Sequence, residues 1–273
     1  MVIGKLIEKS NEILKKSGIQ SYRLDTCVLL GKYLGVDKSY LITHKDAEVG
    51  DTDGFFEMVE RRANHEPVAY ITGNKEFMSL EFDITADVLI PRPETELLVE
   101  AIIKYVGNRR LDMLDIGTGS GCIAVSCCYY CKNLMADAVD ISPEALAVAR
   151  QNAKKHDIGR INFFLCDVFT SFPDKEYDII VSNPPYIKKN DLPALMKDVG
   201  RYEPESALCG GADGLVFYRV IAKHAKTRDI LAFEVGAGQS NDVANILTGC
   251  GYKKVEIIKD YSLIERVVIG RYR

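Results

Sequence analysis

The sequence lacks the features of a secreted, membrane-bound or strongly basic protein. It has 35 Lys and Arg against 39 Asp and Glu, for a net charge of -4. A globally acidic chain disfavours direct nucleic-acid binding, although a local basic patch can still occur. Charged residues interrupt the first turns, so no signal-peptide core is expected there. The longest nearly apolar run, residues 122–131, is too short to span a bilayer, and we expect no membrane contact.

The cysteines also lack the arrangement of a disulfide framework or a metal site. Eight are present without regular spacing. Their closest cluster, Cys127, Cys128 and Cys131, has no second Cys-x-x-Cys pair and no nearby histidine. We interpret it as the buried face of a helix and predict no metal site. Reduced cysteines indicate the cytoplasm. The four histidines are scattered, and none is given a catalytic role.

The chain does contain enough apolar sequence for a large core. A hydrophobic content of 47% in 273 residues indicates one large domain and a smaller one. Residues 1–73 carry apolar side chains at helical spacing and predict a small all-helical domain. Residues 74–90 include an alternating stretch that predicts a β-hairpin linker. Strands and helices alternate through residues 91–273, which is typical of an α/β domain.

Seven strands are expected in that α/β domain. The last two are separated only by a short loop near Asp260, so they must run antiparallel. The predicted strands lie near residues 111–116, 135–140, 161–166, 177–182, 229–235, 252–258 and 265–271.

A glycine-rich turn follows the first of these strands. Gly117, Gly119 and Gly121 stand where the backbone can approach a ligand at a helix N-terminus. Cys122 occupies the position where a dinucleotide fingerprint has its last glycine, which disfavours NAD. Such turns also serve close backbone packing, so the glycines alone are a weak signal.

The next two strands each end in a carboxylate. Asp140 lies about 20 residues after the glycines, the distance at which an acid can bind both ribose hydroxyls. Asp167 is placed to accept from an adenine amine. Asp140 beside Ser142 and Pro143 can alternatively be a helix N-terminal acid. Together the turn and the two acids predict a nucleoside site.

The fourth strand runs into Asn183, Pro184, Pro185 and Tyr186. The Asn183 side-chain oxygen and the Pro184 backbone carbonyl can accept both N–H groups of a planar NH2 group. Tyr186 can stack on its plane. Neutral Asn183 cannot act as a general base. The same four residues can also be only a strand-ending turn, but the nucleoside site upstream favours the holding of an NH2 group beside a cofactor.

These motifs resemble the class I S-adenosylmethionine-dependent methyltransferases. Further segments, among them residues 88–96, 66–73, 202–215 and 234–239, narrow the resemblance to the protein-(glutamine) methyltransferases of peptide chain release factors. It covers essentially the whole chain. It implies a seven-stranded Rossmann-like sheet with a reversed final strand, and a small N-terminal helical domain joined by a β-hairpin. The implied reaction is methylation of the glutamine in the release factor's Gly-Gly-Gln motif, which tunes translation termination and converts the cofactor to S-adenosylhomocysteine.

The resemblance also implies roles for individual residues. Where relatives often place an aromatic beside the acid that ends the third strand, here Asp167, this chain has Val168 and then Phe169, which can pack on adenine instead. The resemblance places three residues near the mouth of the site, between cofactor and acceptor: Arg92, Glu94 and Thr95. The alternative interpretation is that they cap a helix. The catalytic residues are Asn183, Pro184, Pro185 and Tyr186. The cofactor-binding residues are Gly117, Thr118, Gly119, Ser120, Gly121, Asp140, Ile141, Asp167, Val168 and Asn183.

The expected partner is a release factor, recognised by residues 1–73, and the enzyme is expected to be monomeric. An adenine-amine methyltransferase of DNA or RNA is the alternative function, because adenine presents the same donor pattern; no basic target-recognition domain supports it. A non-catalytic cofactor-binding module and an NAD enzyme are further alternatives.

Overall fold

The computed structural model describes residues 1–272, which form two compact units. The first unit contains Met1–Asn74 together with Met196–Tyr202. The second contains Lys75–Leu195 and the residues from Glu203 onward. Each unit has its own cluster of buried apolar side chains.

The first unit is helical. Its core contains Leu6, Leu29 and Phe55, each fully buried. Gly35 caps the C-terminus of the second helix with a φ of 67°, a left-handed conformation that glycine adopts readily because it lacks a Cβ. The helices of residues 1–73 are α1 (Ile3–Lys16), α2 (Tyr22–Leu34), α3 (Lys38–Thr43), α4 (Asp53–Ala63) and α5 (Val68–Thr72).

A short helix from far along the chain completes this unit. It spans Lys197–Tyr202, and the Tyr202 hydroxyl donates to the Asn64 carbonyl at 3.0 Å. A segment that follows the Asn-Pro-Pro-Tyr run in sequence therefore belongs to the helical unit in space.

A two-stranded hairpin begins where the helical residues 1–73 end. Strands β1 (Asn74–Phe77) and β2 (Leu80–Asp83) are joined by Met78 and Ser79, with φ of 50° and 56°. Two successive positive φ angles match the right-handed twist of the strands. The predicted hairpin is confirmed.

A seven-stranded sheet forms the centre of the second unit. Its order is β5-β4-β3-β6-β7-β9-β8. All seven predicted strands are present, with ends that differ by no more than two residues from those expected. They are β3 (Asp112–Ile116), β4 (Met135–Asp140), β5 (Ile161–Leu165), β6 (Tyr177–Ser182), β7 (Thr227–Glu234), β8 (Lys254–Lys259) and β9 (Glu265–Arg271).

The final strand is reversed, as predicted. Strands β3 to β7 pair in parallel, whereas β9 pairs antiparallel with both β7 and β8. This arrangement, together with the helical unit and the hairpin, is the α/β architecture expected from the sequence.

Helices connect the strands, and local sequence signals explain their limits. Pro93 begins the first of them, and Ser142 caps another by accepting from the Ala145 N–H at 3.0 Å. Two of them, Val216–His224 and Ser240–Gly249, pack on fully buried sheet residues such as Ile180 and Phe233. Besides the 3-10 helix Lys189–Ala194, the helices that follow the hairpin are α6 (Pro93–Val106), α7 (Cys122–Tyr130), α8 (Pro143–Lys155), α9 (Lys197–Tyr202), α10 (Glu205–Leu208), α11 (Val216–His224) and α12 (Ser240–Gly249).

Neither a membrane-crossing helix nor a metal-holding cluster occurs within residues 1–272. None of the helices described is both long and apolar enough to cross a bilayer. Within the same residues, no group of three His, Cys, Asp or Glu side chains is arranged to hold a metal ion. Cys127 and Cys128 are fully buried in α7, and Cys131 is buried just after it.

Candidate active site

A cavity of about 290 Å³ lies where β3, β4, β5 and β6 end. The carboxyl ends of parallel strands meet at one edge of a sheet, so residues distant in sequence converge there. Predicted site residues that line it are Gly117, Gly119, Asp140, Ile141, Asp167, Val168, Asn183, Pro184 and Pro185.

The glycine turn contributes backbone to this cavity. Gly117 and Gly119 line it, with φ of 70° and 55°. Thr118, Ser120 and Gly121 are buried and are not among the lining residues. The turn therefore presents backbone to the cavity and directs its small side chains into the protein.

Asp115, the penultimate residue of β3, supports the turn from below. Its carboxylate accepts from the Thr118 hydroxyl at 2.7 Å. Burial raises the pKa of Asp115 to about 7, although the Thr118 hydrogen bond acts in the opposite direction. This carboxyl was not among the predicted site residues. Its hydrogen bond to Thr118 holds the glycine turn in place.

Asp140 is held by backbone groups on both sides. One carboxylate oxygen accepts from the Gly119 N–H at 2.9 Å, and the other accepts from the Ser142 N–H at 3.0 Å. The second bond agrees with the helix-terminus alternative, but the first ties the same carboxylate to the glycine turn. Asp140 thus has a fixed orientation at the cavity wall. Its neighbour Ile141 is 59% exposed and lies beside it.

Asp167, Val168 and Phe169 form the next part of the wall. Asp167 accepts from the Phe169 N–H at 2.9 Å. The Phe169 ring packs edge-on against Phe217, with centroids 4.9 Å apart and an interplanar angle of 72°. Phe169 is 48% exposed and Phe217 also lines the cavity, so a flat aromatic surface is available for a base.

Asn183, Pro184 and Pro185 form the opposite end of the cavity. They follow Ser182, whose hydroxyl donates to the Ile116 carbonyl at 2.7 Å and so fixes the end of β6 against β3. Pro184 is buried. Neither proline has an N–H, so this wall offers acceptors and no competing backbone donor.

Tyr186 is packed behind this wall and is not a lining residue. Its carbonyl accepts from the Gln239 side-chain amide at 3.0 Å. A Cβ on Gly214 would lie 2.4 Å from the same carbonyl, so only glycine permits this approach. Burial raises the pKa of Tyr186 to about 12, which keeps its hydroxyl protonated.

The side chain of Asn183 contacts a buried polar pair. Its Nδ2 donates to the Thr95 hydroxyl at 3.2 Å. Thr95 and Glu234 are each 2% exposed. Burial raises the pKa of Glu234 to about 7, and hydrogen bonds from Thr95 and Asn183 act in the opposite direction. Sequence reasoning missed Glu234, although a carboxylate ending a buried strand beside glycines was an available signal.

Arg92 and Glu94 are not among the lining residues. Arg92 precedes the first residue of α6, and its side chain makes no capping bond. It donates instead to both oxygens of Glu203, at 2.6 and 2.7 Å, and the Glu203 side chain is 1% exposed. Arg92 therefore anchors the segment that precedes α10.

Comparisons with known proteins agree with this geometry. The family described as Methyltransferase small domain matches residues 93–236, and the PrmC N-terminal domain family matches residues 5–73. A release factor glutamine methyltransferase of Clostridium acetobutylicum is 37% identical, over 99% of this chain and 98% of that protein. One from Geobacter sulfurreducens is 38% identical, over 98% of this chain and 96% of that protein.

A solved methyltransferase structure from Pyrococcus furiosus covers 78% of this chain and 98% of its own, with 17% identity and a TM-score of 0.53. At that identity the likeness concerns the fold alone. The sheet order and the reversed β9 define a class I methyltransferase. At 37% identity over the full length of its relative, the chain belongs to the release factor glutamine methyltransferase family.

Proposed function

We propose that this protein transfers a methyl group to the side-chain amide nitrogen of the glutamine in the Gly-Gly-Gln motif of peptide chain release factors. The observation that carries the proposal is a single cavity with carboxylates at one end and, at the other, the Asn183–Pro184 wall, which can offer two carbonyl oxygens as acceptors. The enzyme acts as a cytoplasmic monomer, without direct nucleic-acid or membrane contact, and its product tunes translation termination.

The residues of the first end fit S-adenosylmethionine. Asp140 offers two carboxylate oxygens of fixed orientation for ribose hydroxyls. Asp167 and Val168 meet the adenine edge, and Phe169 supplies an aromatic surface. Gly117 and Gly119 leave room for the methionine part. When bound, this cofactor supplies a methyl group carried on a positively charged sulfur, and S-adenosylhomocysteine remains.

The residues of the second end hold the acceptor. The Asn183 oxygen and the Pro184 carbonyl accept from the two N–H groups of the glutamine amide, which fixes its plane. Tyr186 supports this wall from behind through its bonded carbonyl. Fixing a reactant in a reactive orientation can lower a barrier by about 7 kcal/mol or more. Positioning is therefore the main catalytic contribution of the protein.

No general base is required at this wall. Asn183 is neutral, and burial keeps the hydroxyl of Tyr186 protonated by raising its pKa to about 12. An amide nitrogen becomes acidic only after it has received the methyl group, so its proton can leave to water. Arg92 and Glu94 shape the approach to the site, Arg92 through its ion pair with Glu203.

Residues 1–73 are proposed to recognise the body of the release factor, with residues 74–90 as linker and 91–273 as the methyltransferase domain. The Asn183–Pro184 wall recognises only a planar NH2 group, so specificity must come from remote contacts. Leu24 and Val28, four residues apart on α2, are 55% and 42% exposed. They offer apolar surface for such a contact.

This role can be tested with the double variant Leu24→Ser/Val28→Ser. We expect kcat/KM for the whole release factor to fall about tenfold, because burying the exposed parts of both side chains is together worth about 1.5 kcal/mol. Methylation of a short Gly-Gly-Gln peptide should not change. Leu263→Ser is the matched control, since Leu263 is 77% exposed in the other unit. An unchanged kcat/KM for the whole factor would refute recognition by this helix.

The proposed function is tested by incubating the protein with methyl-labelled S-adenosylmethionine, a purified release factor and a pool of DNA and RNA. Label in the release factor, located by mass spectrometry at the Gly-Gly-Gln glutamine, is the expected outcome. Label in adenine would establish the nucleic-acid alternative. Substituting asparagine for that glutamine should remove the signal, because the shorter side chain does not reach the Asn183–Pro184 wall.

A further inference from the structure

The buried carboxyl of Glu234 lies directly beside the acceptor-binding asparagine. Strands β6 and β7 are parallel neighbours, and their register pairs Ser182 with Phe233. The next residues of the two strands, Asn183 and Glu234, therefore lie side by side. Thr95 approaches both from α6 and accepts from the Asn183 Nδ2 at 3.2 Å.

An asparagine side chain can present either its amide oxygen or its NH2 group to a ligand. Rotation by half a turn exchanges the NH2 group and the oxygen at almost no steric cost. Only one orientation serves the acceptor, because the glutamine amide needs an oxygen from Asn183. In the other orientation the NH2 group of Asn183 would face the NH2 group of the acceptor glutamine, and neither could accept a hydrogen bond from the other.

An ionised carboxylate can only accept hydrogen bonds. With Glu234 ionised, the Thr95 hydroxyl and the Asn183 NH2 group both donate toward the carboxylate. The Thr95 oxygen also accepts from the Asn183 Nδ2. The direction of every hydrogen bond is then fixed, and the Asn183 oxygen faces the cavity. A protonated carboxyl is both donor and acceptor, so protonation would remove this constraint.

We infer that Glu234, acting directly and through Thr95, is a positioning residue that selects the catalytic orientation of the Asn183 amide. This inference rests on the proposed function, since it concerns the same acceptor wall. The backbone at Glu234 is itself fixed, because its carbonyl accepts from the Tyr218 hydroxyl at 3.0 Å and its strand pairs with β9.

Two charged groups act on Glu234 from neighbouring elements. Burial and, to a smaller extent, Glu94 on α6 raise its pKa to about 7, and Arg266 on β9 acts in the opposite direction. Oε2 of Glu234 is buried and has no hydrogen-bond partner within residues 1–272. Its protonation state therefore changes near neutral pH, and the ionised form increases as pH rises.

Three further titratable groups near Glu234 stay neutral in that range. Burial raises the pKa values of Tyr186 and Cys122 to about 12, and it raises the pKa of Tyr218 well above its ordinary value. Asp115 on β3 also has a pKa of about 7, so the part of a pH dependence near neutrality that is lost in Glu234→Gln reports Glu234.

The test compares Glu234→Gln with wild type, using whichever acceptor the wild type methylates. Glutamine keeps the shape of the side chain but can donate to Thr95, so kcat should fall about 100-fold, the scale of a misplaced reacting group. The dissociation constant of S-adenosylhomocysteine should not change. Wild-type kcat should fall as pH decreases through about 7, and Glu234→Gln should lack this dependence.

Thr95 provides a second variant and the exposed strand β8 provides a control. Thr95→Val should reproduce the loss in kcat, whereas Thr95→Ser should restore it because the hydroxyl remains. Glu256→Gln makes the same chemical change where the side chain is 58% exposed, and it should behave as wild type.

Three outcomes would count against the inference. Wild-type kcat in Glu234→Gln would overturn it, as would a loss of cofactor affinity equal to the loss in kcat. Methylation of adenine instead of the release factor would refute the proposed function but leave the role of Glu234 testable on adenine. A wild type that methylates neither acceptor would overturn both.

Discussion

The two ends of the cavity are built from the same sheet edge but use opposite chemistry. At the first end, Asp140 and Asp167 are carboxylates held by backbone N–H groups of their own or adjacent loops. At the second end, neutral Asn183 faces the cavity and the carboxyl of Glu234 is buried behind it. Charge lies at the wall in one case and behind the wall in the other.

This difference follows from what each end must bind. Ribose hydroxyls are donors that bind a carboxylate strongly, because a charge-assisted hydrogen bond is about twice as strong as a neutral one. A glutamine amide must be held by groups that include neither a strong base nor a donor that competes with its N–H groups. The second end therefore binds through neutral oxygens, and its charge only sets their orientation.

The largest expected effect comes from Asn183→Ala. One N–H of the glutamine amide loses its acceptor, so kcat should fall about 100-fold or more. The dissociation constant of S-adenosylhomocysteine, measured by calorimetry, should change much less. Asn190→Ala is the matched control, because Asn190 is an exposed residue of the 3-10 helix after the same turn. If Asn183→Ala binds the cofactor normally and its turnover is undiminished, Asn183 does not bind the acceptor and the two ends of the cavity do not differ as described.

A smaller effect at the opposite end is expected for Asp140→Ala. Each charge-assisted hydrogen bond lost should weaken cofactor binding by about 1.5–3 kcal/mol. The Gly119 and Ser142 N–H groups also lose their acceptor. Asp140→Asn keeps one oxygen and should do less harm. A dissociation constant unchanged in the alanine variant would show that ribose is bound elsewhere.

The smallest effect is expected for Phe169→Ala. Aromatic stacking on a base is worth about 1–3 kcal/mol, and we expect the lower limit, about fivefold in cofactor affinity, because the ring is partly exposed. Phe169→Tyr keeps the ring and serves as control. If Phe169→Ala and Phe169→Tyr bind S-adenosylhomocysteine equally well, adenine does not pack on this ring.

Sequence periodicity predicted the strands because each is a short apolar run bounded by turn residues. The reversed β9 was predicted because the loop near Asp260 is too short for a crossover. The packing of Lys197–Tyr202 into the helical unit was not predictable in this way. It depends on tertiary contacts such as Tyr202 with Asn64, which no local pattern encodes.

The candidate site shows a similar limit. Its lining residues follow strand ends, so sequence position was enough to nominate Asp140, Asp167 and Asn183. Glu234 also follows a strand, but its importance lies in its burial and in its register beside Asn183. Thr95, expected near the mouth, is 2% exposed and contacts Asn183 from inside the protein. Burial and register are properties of the assembled sheet.

The position of β9 between β7 and β8 also has a consequence for synthesis of the protein. Strand β7 carries Glu234, and its second edge pairs only with β9, through contacts such as Glu234 with Val267. A ribosome must therefore translate beyond residue 265 before that edge is covered. Until then the nascent chain has an unpaired strand edge, which is prone to wrong pairing. The acceptor-binding wall is thus among the last parts of the enzyme to form.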